Sequence, residues 1–228
     1  MSGSEHVEDG ASRVRSGLWR YLDDGGPWAP VRQRIATYVR ENEGAAFESY
    51  GAARFNPHVI TGDDLVSLTM LSIQLRLTTT SGITAAAAIA IEGSSDNFEA
   101  LLRQIPSGRP LHSLTEPEFD RWLGPGSAGA ALYADLRSSG VPRVACHKLM
   151  ARKRPHLFPV RDGVVERALR LKTSRLWWQP WWRALSGDPD LVTRISSVEL
   201  PVTARHLSVL RIADIAVWTA ARTKASDM

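Results

Sequence analysis

Residues 138–172 read SSGVPRVACHKLMARKRPHLFPVRDGVVERALRLK. The pattern predicts a helix over Arg143–Arg152, with Leu149 and Met150 among its apolar positions, and another over Val164–Leu171 opened by Asp162. Ahead of the first lies Gly140-Val141-Pro142. Glycine suits a reversal of the chain, and proline suits a first helical turn, where its missing N–H has no acceptor. Two helices meeting at a tight turn, with no alternating pattern between them, point to an all-α fold.

Outward from this stretch the same signals repeat. Pro30 precedes Val31, Ile35, Tyr38 and Val39 at helical spacing. Thr61-Gly-Asp-Asp64 supplies a capping residue and first-turn acids, and Ser81 or Thr84 can cap the alanine-rich run Ile83–Ile91. Ser94, Thr115 and Ser127 open three more segments, and Pro189–Val198 and His206–Arg222 complete the set. Period-two alternation is confined to Leu75–Thr79 and Leu157–Val160. The expectation is an all-α, compact bundle of roughly ten helices forming a single domain over residues 13–228. Residues 1–12, polar and acidic, are expected to be a disordered tail.

At 228 residues and 43% hydrophobic, the chain can bury a sizeable core. Its most apolar window, Ile83–Ile91, is too short for a bilayer, and the first dozen residues are neither signal peptide nor anchor. A cytoplasmic protein with no membrane association is expected. Cys146 is the single cysteine, which excludes an internal disulfide, a four-cysteine zinc site and an iron–sulfur cluster held by this chain alone. His147 and His156 lack the spacing of metal ligands, so neither metal nor cofactor is expected. Net charge is only +4, yet Arg143, Lys148, Arg152, Lys153, Arg154, Arg161, Arg167, Arg170, Lys172 and Arg175 fall in one stretch whose only acids are Asp162 and Glu166. Such a block suggests a polyanionic partner, or else a solvated basic face.

Gly140, Val141, Ala145 and Cys146 give this turn a likeness to the hairpin of helix-hairpin-helix proteins. That resemblance implies backbone amides holding a DNA phosphate without reading sequence. Pro142 replaces the second glycine of the pattern and removes one amide, a contact the Arg143 side chain could supply. Downstream, Phe158-Pro159-Val160, Asp162, Val165, Arg167 and Leu169 resemble the catalytic segment of the helix-hairpin-helix DNA glycosylases, with Arg161 as an extra residue before the aspartate. The resemblance implies a flipped base and Asp162 as the carboxylate that stabilises the sugar cation. Arg143 and Val144 stand where strand-cutting members carry lysine, which implies base removal without strand cleavage. The segment KLMARKRPHLFPV also resembles an actinobacterial family of unknown function, which brings no activity with it.

On this resemblance the candidate DNA contacts are Gly140, Val141, Arg143, Lys148, Arg152, Lys153, Arg154 and Arg161, and the partner is double-stranded DNA. Trp177, Trp178, Trp181 and Trp182, half of the eight tryptophans, could stack a flipped base or pack a core. Three functions stay open: a monofunctional glycosylase, a DNA-binding module without catalysis, and a helical interaction or regulatory protein. The sequence does not give the oligomeric state.

Overall fold

A computed structural model describes residues 3–76, 82–171 and 177–226. Lys172, Arg175 and the last residues of the Leu75–Thr79 strand reading lie outside them. In chain order the helices are α1 (Gly3–Leu22), α2 (Val31–Glu41), α3 (Gly62–Thr69), α4 (Ala85–Gly93), α5 (Ser95–Gln104) and α6 (Glu116–Leu123). There follow α7 (Ala128–Ser138), α8 (Arg143–Lys153), α9 (Gly163–Ala168), α10 (Trp178–Ser186), α11 (Pro189–Ser196) and α12 (Val209–Ser226). Strands β1 (Leu75–Arg76) and β2 (Ile83–Thr84) pair in parallel, Leu75 opposite Ile83. The fold is all-α. Leu157–Val160 is not a strand, and the first two residues of the Ile83–Ile91 run are β2 rather than helix.

The expected single domain divides into two compact units. Unit one comprises residues 1–42, 110–113 and 159–228; unit two comprises 43–109 and 114–158. The stretch expected as a tail carries the start of α1, whose Ala11 and Val14 are buried.

In unit one, Val14, Leu18 and Leu22 recur every four residues along α1 and are fully buried, the stripe that a helix needs to dock. That helix packs on α10 and α12. Gly17 permits a close approach: a Cβ there would lie 2.4 Å from Leu169 Cδ2. Helix α12 is buried on every side from Leu210 to Val217 and meets α1, α2, α9 and α11. Charges inside this unit are tied down. Arg211 pairs with Asp214 and donates to the Tyr38 hydroxyl at 2.9 Å. Arg34 donates to the carbonyls of Ala29 at 2.8 Å, Tyr21 at 2.5 Å, and Ala216.

Unit two is built from helices whose starts follow the capping residues of the sequence. The Asp64 carboxylate accepts the Thr61 amide at 2.8 Å, the Thr84 hydroxyl accepts the Ala87 amide at 3.1 Å, and the Ser127 hydroxyl accepts the Ala130 amide at 3.2 Å. Each such cap stabilises its helix by about 1 kcal/mol. Residues 43–61 form only two short 3₁₀ turns, Glu43–Ala46 and Ala52–Arg54. Helix α8 packs against α3 and α7, and every residue from Ala145 to Lys153 is buried.

Candidate nucleic-acid interface

Helix α7 turns into α8 through Ser139–Pro142. The Val141 amide donates to Leu136 O at 3.1 Å and the Gly140 amide to Arg137 O at 3.1 Å. This is the double bond of a Schellman cap, with Gly140 in the left-handed region at φ 85° and Val141 buried behind it. Both amides are therefore committed to the end of α7. Pro142 has none. Helix α8 then starts without a side-chain cap, so the first-turn amides of Arg143, Val144 and Ala145 have no intrahelical acceptor. Arg143 is exposed, and among the described residues no acid meets it. Arg137, also exposed, donates to Val141 O at 2.5 Å and braces the turn.

The other predicted phosphate contacts are elsewhere. Lys148, Arg152, Lys153 and Arg154 all point inward and are buried, because α8 is covered on every side and its cations must reach protein oxygen. Lys148 Nζ donates to Leu71 O at 2.7 Å. Arg152 donates to the carbonyls of Phe47 and Tyr50 and lies 3.4 Å from Asp64 Oδ1. Lys153 pairs with Asp64 and donates to Asn56 O at 3.0 Å. Arg154 donates to Ile105 O at 2.9 Å, Pro57 O at 2.5 Å, and Leu102 O. Four of those carbonyls belong to residues 43–61, whose backbone has few helical partners of its own. The cations supply the donors that buried carbonyls require. Burial is strong enough to push the Lys153 ammonium below its usual pKa despite Asp64, and the Arg154 guanidinium down to about 10.

Arg161 is buried as well, paired with Glu166 at 2.8 Å and lying over the Trp177 ring. It does not serve as a surface contact. Asp162 is half-buried, and its Oδ1 accepts the Val164 amide at 2.8 Å, which caps α9. Asp162 belongs to unit one and the α7–α8 corner to unit two. The four clustered tryptophans, Trp177, Trp178, Trp181 and Trp182, are buried. Trp177 Nε1 donates to Val160 O at 3.3 Å, and its ring centroid is 6.3 Å from that of Trp181. They are core of unit one, held where α10 meets α1, and offer no face for a flipped base.

His147 is fully buried beside the Tyr133 ring, and Cys146 is fully buried with its thiol pushed up to about 12 by burial. Among the described residues no group of three His, Cys, Asp or Glu could hold a metal ion, and no helix is long and apolar enough to cross a membrane. Asp64 is the residue that the sequence undervalued. It reads as a first-turn acid and is one, but it also neutralises two cations of α8. Three successive cations, Arg152, Lys153 and Arg154, at the end of α8 and just before Pro155, were the available signal.

Fold and site together define an all-α protein with a glycine-capped corner that presents an uncapped helix start and one exposed arginine. The chain belongs to the family of unknown function DUF6308, which matches residues 27–221. No curated protein and no solved structure matches it.

Proposed function

We propose that the chain is a DNA-binding protein without catalytic activity that holds the phosphate backbone of a duplex at the corner between α7 and α8. What carries this is the start of α8: the first-turn amides of Arg143 and Val144, which among the described residues have no acceptor, lie at the positive end of an eleven-residue helix beside the exposed Arg143 side chain. The bare backbone of exposed Gly140 lets a phosphate come near. The inward cations of α8 are held by protein oxygens, so among the described residues Arg137 and Arg143 are the cations at the corner, and about two phosphates would be neutralised. Affinity should then fall about tenfold between 50 and 200 mM salt. Base readout is not expected.

The catalytic version has less behind it, since the Asp162 carboxylate caps its own helix and the tryptophans are core. Fluorescence anisotropy with an undamaged duplex and one carrying an abasic-site analogue tests both. Equal, salt-sensitive binding of the two, weakened several-fold by Arg143→Glu and unchanged by Asp162→Asn, is the expected result. Absence of binding at low salt would overturn the proposal. Preference for the abasic duplex, with base release abolished by Asp162→Asn, would favour the glycosylase instead.

A further inference from the structure

On unit two, β1, β2, the N-terminal half of α3 and the first turn of α4 line an open cleft of about 400 Å³, within the size range of small-molecule sites. Leu65, Val66, Leu75 and Ile83 form its walls. Leu75 is 46% exposed there, a large apolar side chain kept against water. Among the described residues, two side chains of the lining are polar, Thr84 and Arg76. The Thr84 hydroxyl caps α4, accepting the Ala87 amide at 3.1 Å. Arg76 is exposed, and among the described residues neither an acid nor a carbonyl meets its guanidinium. Among the described residues no acid lines the cleft, and Asp63, in the first turn of α3, is held by Arg54 at 2.9 Å.

The geometry points to a binding site for a small apolar carboxylate. We propose that its hydrocarbon chain lies along Leu65, Val66, Leu75 and Ile83 and its carboxylate on the Arg76 guanidinium. Three observations select this chemistry. The walls are apolar, so the body of the ligand gains by leaving water. A lone guanidinium without an acid matches a monoanion through a two-pronged, charge-assisted contact. The cleft also begins at the start of α4, at Ala85, whose first turn carries no acid and whose positive end favours an anion over a cation.

The test is calorimetric titration of the full chain with octanoate, octanol and acetate. These carry chain and charge, chain alone and charge alone. Octanoate binds, and each of the other two is at least about tenfold weaker. Arg76→Gln weakens octanoate about tenfold, the loss of one charge-assisted contact, and leaves octanol unchanged. Gly62→Trp reduces both chain-bearing ligands. That variant should fold, since a Cβ at Gly62 meets nothing within 4 Å. Octanoate binding no tighter than acetate, or unaffected by Arg76→Gln, overturns the proposal. Insensitivity to Gly62→Trp overturns the placement of the ligand in this cleft.

Discussion

Replacing Asp64 by asparagine should be among the most damaging single changes in unit two. The carboxylate is buried, lies 3.4 Å from Arg152 Nε, pairs with Lys153 Nζ, and accepts the Thr61 amide at 2.8 Å. Asparagine keeps an oxygen for that amide, so the cap of about 1 kcal/mol survives and the loss isolates the charge. A pair at 3.4 Å with an effective dielectric of about 20 interacts by roughly 5 kcal/mol. Removing one partner of a buried pair costs about 3–5 kcal/mol because the other charge stays dry and uncompensated. Two cations depend on Asp64, so the upper part of that range is expected, a lowering of Tm by about 10 °C. Guanidinium unfolding followed by far-UV circular dichroism measures it; fluorescence is less direct, since Trp122 is the one tryptophan of the eight in unit two. Lys153→Met is the control. It leaves Asp64 with Arg152 and deprives the Asn56 carbonyl of a donor, which costs about 1–3 kcal/mol. A loss below about 1 kcal/mol for Asp64→Asn, or a larger loss for Lys153→Met, would refute the reasoning.

Arg170 sits at φ 52° in the cap that ends α9, so Arg170→Gly should raise stability by up to about 1 kcal/mol in a thermal melt. A Cβ at Gly129 would lie 2.6 Å from the Trp122 carbonyl oxygen, and Gly129→Ala should lower stability by about 1–3 kcal/mol. The Cys146 thiol, raised by burial from 9.0 to about 12, contributes stability that is complete below pH 9 and is lost as pH rises toward 12. The stability difference between wild type and Cys146→Ala should therefore shrink above pH 9, by as much as about 1.4 kcal/mol per pH unit. The same thiol should react with a disulfide reagent at pH 8 only when denaturant is present.

The elements were legible because their signals are local. Thr61, Thr84, Thr115 and Ser127 mark helix starts through hydroxyls and acids a few residues away, and the spacing of Val31, Ile35 and Tyr38 marks a buried face. Gly140 was legible too, since a left-handed cap favours glycine. The direction of the basic stretch was not. Lys148, Arg152, Lys153 and Arg154 look like a surface stripe until α8 is known to be covered on all sides, and their partners are carbonyls about fifty to a hundred residues earlier in the chain. Carbonyls carry no sequence signature. For the same reason α1 was missed: its apolar stripe is short and sits behind a run of acids, and its helicity rests on α10 and α12 far downstream. The Ser138–Lys172 stretch also spans two units, so its look of one continuous motif did not reveal that Asp162 and Gly140 belong to different bodies.

That interleaving of the units sets an order of assembly during synthesis. Everything unit two needs has been made once residue 158 leaves the ribosome, and the clamp of residues 43–61 by the end of α8 can close at that point. Unit one draws on residues both before and after unit two, for α1 packs against α10 and α12. At ordinary elongation rates the nascent α1 waits on the order of ten seconds for those partners. During that interval Val14, Leu18 and Leu22 have no α10 or α12 to dock against, which leaves α1 open to chaperones and to mispairing between neighbouring nascent chains.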